Sequence, residues 1–227
     1  MATLAFDIYG TLLDTEGVVS ILRETIGSKA EEFSRTWRRK QLEYSFRRGL
    51  MSRYENFAVC TRQALKYCCD FHKVSLAPEQ EEALLQSYRT LPAFDDIKES
   101  LAALRADGHH LYAFSNGTAE AVEALLVAND LSDDVLGVVS CDAVKTFKPN
   151  REVYDYFMQE TNSSGNAWLI SSNPFDVIGA ISSGMKAVWV QRSDNAVFDP
   201  WDIPPTITIR GLSDLQKHIG NLTNPGG

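Results

Sequence analysis

Four short polar clusters follow apolar runs in this chain: Asp7-Ile8-Tyr9-Gly10-Thr11, Ser115-Asn116-Gly117, Lys148-Pro149 and Ser171-Ser172-Asn173-Pro174-Phe175-Asp176. Together they supply carboxylates, hydroxyls, amides and an ammonium. A carboxylate with an ordinary pKa of about 4 is ionised at neutral pH. Stripped of water and held in line with an electrophilic carbon, it becomes an effective nucleophile. Its attack leaves an ester that water then cleaves, which divides one hard displacement into two easier steps. Asp7 is the candidate for that part, against the plainer reading that it caps a turn. Each cluster alone is weak, because polar turn residues end most strands.

The elements that must position these groups read as an alternating α/β chain. Apolar runs at Leu4–Phe6, Leu111–Phe114, Val135–Val139, Trp168–Ile170 and Ala187–Val190 predict buried strands, with Thr206–Ile209 a weaker sixth. Helical patterns lie between most of them: about 96–107 with Gly108 as its stop, 118–128, and one that starts after Asn173-Pro174 and ends near Gly184. The expected fold is a Rossmann-like parallel sheet flanked by helices. In such a sheet, sites form beyond the carboxyl ends of the strands, where the four clusters fall.

The interval from Asp14 to about Ala93 breaks the alternation and reads as helical throughout. Phe57, Thr61, Ala64, Leu65, Cys68 and Phe71 keep helical spacing, Ser52 and Glu55 suit a capping box, and Phe33 with Trp37 makes a second stripe beside Arg38 and Arg39. The expected division is a core of residues 1–14 and 94–227 with a helical cap of 15–93 inserted after the first strand. The Asn-Pro-Gly-Gly end is expected to fray.

Composition narrows the partners. With 44% hydrophobic and 23% charged residues the chain is an ordinary globular protein, and its net charge of −8 argues against nucleic acid or an anionic membrane. An anionic substrate then needs a few locally placed Arg or Lys. Cys60, Cys68, Cys69 and Cys141 form no CxxC pair and no His stands at zinc-ligand spacing, so no metal is expected, and Cys60, Cys68 and Cys69, in a helical pattern, are expected as buried thiols. Asp7 and Asp14 interrupt the N-terminus too early for a signal peptide, and no apolar run approaches a membrane span. The expected location is the cytoplasm.

The order Asp7-x-Tyr9-Gly10-Thr11-Leu12, Ser115-Asn116-Gly117, Lys148-Pro149 and Ser171-Ser172-Asn173 resembles the haloacid dehalogenase superfamily, and specifically its L-2-haloacid dehalogenase branch. The similarity runs through the cap in Trp37-Arg38-x-Lys40-Gln41-Leu42-Glu43-Tyr44 and Arg53-Tyr54-x-Asn56-Phe57, and covers the chain from residue 4 to roughly 200. The resemblance implies hydrolysis of short L-2-haloalkanoic acids to D-2-hydroxy acids through an ester on Asp7. It implies neither metal nor organic cofactor, and a homodimer. It makes Lys148 the cation paired with Asp7, Ser115 a donor to that carboxylate or to the substrate, and Arg38 and Asn116 the halide-binding groups. Tyr154 is implied at the substrate, and Ser171, Asn173 and Asp176 in the last active-site loop. Tyr9, Leu42, Phe57 and Phe175 are implied as an apolar wall around the alkyl group. Read without the resemblance, Lys148 is a surface lysine, Arg38 a solvated helix charge, Tyr154 packing, and Asp176 an acid favoured in a helix's first turn.

The same resemblance frames the rivals. Phosphatases of the superfamily carry a second aspartate two residues after the nucleophile, where this chain has Tyr9, and a metal-binding carboxylate near the position of Ser171. A phenol suits leaving-group protonation poorly, whereas halide leaves without a proton. A non-catalytic relative is the third reading. Two departures bear on substrate range: Arg39 stands where the branch usually has glutamine, and Phe175 where many members have tryptophan.

Overall fold

A computed structural model describes residues 1–222, so the Asn-Pro-Gly-Gly end lies outside the described residues. The chain runs β1 (Thr3–Phe6), α1 (Val19–Ile26), α2 (Ala30–Leu50), α3 (Phe57–His72), α4 (Pro78–Ser87), α5 (Ile97–Ala106) and β2 (His110–Ser115). It continues α6 (Ala119–Ala128), β3 (Gly137–Ser140), α7 (Arg151–Glu160), β4 (Ala167–Ser171), α8 (Pro174–Ser182), β5 (Lys186–Val190), β6 (Ile207–Ile209) and α9 (Leu215–Leu222). The six strands form one parallel sheet in the order β3-β2-β1-β4-β5-β6, a Rossmann-like arrangement with β1 at its centre.

Both faces of the sheet are covered, which explains why the strands read as continuous apolar runs. Successive residues alternate between the two cores. Leu4, Phe6, Trp168, Ile170, Val188 and Val190 join a core with Leu101 and Leu104 of α5 and Val122 and Leu125 of α6. Ala5, Leu169, Ala187 and Trp189 turn the other way, onto Tyr154 and Phe157 of α7 and Val177 of α8. β1 and β4 lie in register with Phe6 opposite Ile170, so Asp7 and Ser171 emerge side by side at the carboxyl edge.

Local signals set the helix ends. Thr118 caps α6 by accepting from the Ala121 N–H, and Asn150 caps α7 from the Glu152 N–H. Pro174 opens α8, and Gly108 and Gly184 adopt φ of +81° and +91° just beyond α5 and α8. Three expectations are corrected. The cap of α3 is Asn56, whose side chain accepts from the Val59 N–H, whereas Ser52 sits at φ +52° in the turn that ends α2. Phe71 leaves the buried stripe and stacks on Tyr67 at 55% exposure. The third strand begins at Gly137, not Val135, because a 3-10 turn at Ser132–Asp134 occupies the approach.

Between β1 and β2 only helices occur. They pack around Trp37, which is fully buried, donates its indole N–H to the Thr61 carbonyl at 2.9 Å, meets Tyr88 edge-on at 4.9 Å, and shares one hydrophobic core with Leu4 and Phe6 of the sheet. The chain leaves and rejoins the sheet at one place, where Leu13 bridges Ala93 and the Asp14 N–H donates to the Pro92 carbonyl. Helix α2 is long enough to reach back to the sheet: Phe46 near its end packs on Phe175, ring centroids 4.9 Å apart. No described helix is long and apolar enough to cross a membrane.

Candidate active site

At the carboxyl edge the sheet brings together Asp7, Lys148, Ser171, Asn173 and Asp176. Asp7 is 6% exposed, and its two oxygens are treated differently. Oδ2 accepts from Thr11 Oγ1 (2.8 Å), Asn173 Nδ2 (2.8 Å) and Ser171 Oγ (3.3 Å). Oδ1 faces only the Lys148 ammonium at 3.2 Å. Three donors saturate one oxygen and fix the carboxylate plane, leaving the other for reaction.

Lys148 is buried to 1% exposure, and all three ammonium protons have acceptors: Asp7 Oδ1, Asp176 Oδ2 at 2.9 Å and the Phe114 carbonyl at 2.9 Å. Burial works against its charge, but the Asp176 and Asp7 carboxylates outweigh it and hold the pKa above the usual lysine range. Asp176, at 0% exposure in the first turn of α8, goes up for the matching reason: burial disfavours its anion, and Lys148 offsets that only in part. Its Oδ2 accepts from Lys148 and its Oδ1 from Tyr154 at 2.8 Å, so the tyrosine fixes the carboxylate that holds the ammonium.

The remaining residues divide. Arg38 is half-buried on α2 and donates to the Tyr9 carbonyl at 3.1 Å; Asn173 reaches the same carbonyl at 3.3 Å, which ties the helix to the Asp7 loop. Asn116 accepts from the Lys148 backbone N–H at 3.0 Å through Oδ1, leaving its NH2 free to donate. Tyr9 and Phe57 lie 5.5 Å apart, and Leu42 is half-buried one helical turn beyond Arg38. Burial is the main cause that pushes the Tyr9 phenol up to about 12, with Arg38 opposing.

Two placements sharpen expectation. Tyr154 is fully buried, and its hydroxyl donates to Asp176. Ser115 makes no hydrogen bond to Asp7 among the described residues; it accepts from the Gly117 N–H at 3.0 Å. Arg39, next to Arg38 on α2, is exposed. Thr11 and Ser172, to which the sequence assigns no role, form a small network: Thr11 Oγ1 accepts from the Ser172 N–H at 2.9 Å while Ser172 Oγ donates to the Gly10 carbonyl at 2.7 Å. A hydroxyl four residues after Asp7, in a turn that must fold back on it, was the available signal.

The sheet order, the insertion after β1 and this carboxylate–ammonium edge define a class, and the chain belongs to the haloacid dehalogenase-like hydrolases, whose family profile matches residues 1–184. Within that family it is similar to (S)-2-haloacid dehalogenase from Pseudomonas putida, 32% identical over 96% of each chain. It is 35% identical to (S)-2-haloacid dehalogenase 1 of Pseudomonas sp. (strain CBS-3), again over 96% of each. The L-2-haloacid dehalogenase of Xanthobacter autotrophicus with chloropropionic acid covalently bound superposes with a TM-score of 0.90 at 27% identity, covering 97% of this chain and 98% of that one.

Proposed function

We infer that this chain hydrolyses short L-2-haloalkanoic acids to D-2-hydroxy acids, with Asp7 as the nucleophile. The observation that carries the reading is the asymmetry of Asp7: Oδ2 held by three donors, Oδ1 left beside Lys148. Oδ1 attacks C2 as the carbon–halogen bond breaks, and halide departs with the bonding electrons. Arg38 and the Asn116 amide supply donors where that negative charge develops. A single in-line displacement inverts C2. Water then adds to the ester carbonyl of Asp7 and releases the hydroxy acid; the net proton leaves with the halide.

Lys148 keeps Asp7 ionised and oriented, and Asp176 with Tyr154 keeps Lys148 in place. Ser171 and Asn173 fix the unreactive oxygen, while Ser115 offers its hydroxyl proton to the substrate carboxylate. Tyr9, Leu42, Phe57 and Phe175 surround the alkyl group. No step in this scheme passes through a metal or organic cofactor. Tyr9, with its phenol near 12, suits halide departure better than the leaving-group protonation a phosphatase requires. Residues 15–93 act as a cap over a core of 1–14 and 94–227, supported by the single crossing at Leu13 and Ala93. A homodimer rests on the family resemblance, and a cytoplasmic location on four free cysteines, three of them buried.

The test is halide release from the two enantiomers of 2-chloropropionate with chelator present, beside a generic phosphate ester. Release from the S enantiomer alone supports the reading; magnesium-dependent phosphate release without halide release overturns it. Single turnover in ¹⁸O water should place label in Asp7, and label appearing directly in the product would sink the ester step.

A further inference from the structure

A cleft of about 540 Å³ runs outward between α3, α4 and α6, and its inner end is built from Tyr9, Phe57 and Gly117. We propose that this cleft is an extension of the substrate site that receives the carbon chain of 2-haloacids longer than propionate. The proposal rests on the dehalogenase reading and deepens it by naming a substrate class.

Continuity with the site is the first support. Tyr9 and Phe57 are the aromatic pair assigned to the substrate's alkyl group, and they also close the inner end of the cleft. At Gly117 an added Cβ would stand 3.1 Å from the Tyr9 hydroxyl and 3.4 Å from Ser115 Oγ. Gly117, which lines the cleft, therefore packs closely on Tyr9 and lies within contact distance of Ser115 itself. A C2 substituent lying against Tyr9 and Phe57 points out along this cleft as it lengthens.

The walls are the second support. Beyond the inner end they are apolar: Val59 and Leu85 on one side, and Ala121, Ala124 and Leu125 of α6 on the other. The charged residues that line the cleft, Arg62, Glu82, Arg89 and Glu120, are all exposed, and Arg62 pairs with Glu82 at 3.5 Å. Such a passage favours a hydrocarbon over a second charged group. The volume also falls in the range of about 300–1,000 Å³ typical of ligand sites, far more than a three-carbon acid fills. Each methylene buried there strengthens binding by up to about fourfold.

The experiment compares kcat and KM for (S)-2-bromopropionate, (S)-2-bromohexanoate and (S)-2-bromooctanoate, in the full chain and in Ala124→Trp and Leu85→Gln. Ala124 is exposed and Leu85 half-buried, so neither change strikes the core, and circular dichroism checks the fold. The wild type should process all three acids, with KM falling as the chain lengthens. Each variant should raise KM for 2-bromooctanoate by about tenfold and leave 2-bromopropionate within about twofold. Turnover of 2-bromopropionate with none of the longer acids overturns the proposal, as do variants that affect all three substrates equally. Absence of bromide release even from 2-bromopropionate would overturn the dehalogenase reading beneath it.

Discussion

Lys148 and Asp176 form a fully enclosed ion pair, Nζ to Oδ2 at 2.9 Å, closer than the 3.2 Å that separates Nζ from Asp7. The ammonium is thus anchored on the carboxylate with no exposure and reaches from there to Asp7. Transferring two charges from water to an interior is costly, and the arrangement holds because every ammonium proton and both Asp176 carboxylate oxygens have partners. Tyr154 fills the other oxygen of Asp176, and the Phe114 carbonyl takes the third proton of Lys148. The site is a charge balance built from the back forward.

Removing the ammonium should therefore cost stability in a pH-dependent way. Lys148→Met leaves two buried carboxylates facing each other, and breaking a buried pair in this manner typically costs about 3–5 kcal/mol. The carboxyl of Asp176, already raised by burial, loses its main offset and rises further. A folded-state pKa above the unfolded value gives stability that is present below the unfolded carboxylate pKa and is lost as pH rises through the folded one. The Tm deficit relative to wild type should be larger at pH 8 than at pH 5 by calorimetry. An equal deficit at both would contradict this account of the cluster.

Tyr154 offers a subtler probe of the same cluster. Its hydroxyl bond lowers the pKa of Asp176 against the upward push of burial. Tyr154→Phe should move the acidic limb of the kcat profile to higher pH, since Asp176 must be ionised to hold Lys148. The lost bond costs about 1–3 kcal/mol of stability. A purely structural tyrosine would lower Tm and leave the limb where it is.

The four polar clusters were legible because a parallel sheet forces strand ends onto one edge. Asp7 follows β1, Ser115 closes β2 and Ser171 closes β4, so sequence position and spatial position coincide. Tyr154 was not legible in this way. It lies inside α7, where the direction of a side chain depends on how the helix packs on α8, and the phenol turned to the hidden side of Asp176. That packing is tight: a Cβ on Gly179 would lie 2.5 Å from the Tyr154 hydroxyl and 2.8 Å from Pro149. The Ser-x-x-Glu pattern at Ser52 is common and does not mark the start of α3, whereas the chain path puts Asn56 at the turn.

Thr11 tests the oxygen that does not react. Thr11→Val removes the 2.8 Å bond to Asp7 Oδ2 and strips the Ser172 N–H of its acceptor. With Asn173 and Ser171 still in place the carboxylate loses orientation but not charge. The expected result is a fall in kcat of about 10–100-fold with KM nearly unchanged, as for a group that only aligns the attack. Steady-state kinetics on 2-chloropropionate checks it, and a rise in KM at constant kcat would assign Thr11 to substrate binding instead.

Arg38 carries the assignment that depends most on geometry between α2 and the sheet. Its guanidinium donates to the Tyr9 carbonyl at 3.1 Å and turns a second nitrogen toward Gln41 Oε1 at 3.5 Å, which sets its plane. Lysine keeps the charge but has no fork with which to hold both that carbonyl and a departing halide. Arg38→Lys should lower kcat by about 10²–10³-fold, the scale seen when a donor to developing charge is removed. It should also weaken product inhibition by added bromide, because the same donors bind the released ion. Both effects can be read in one set of inhibition curves. Unaltered bromide inhibition alongside reduced kcat would show that Arg38 braces the Asp7 loop and that the halide is held elsewhere.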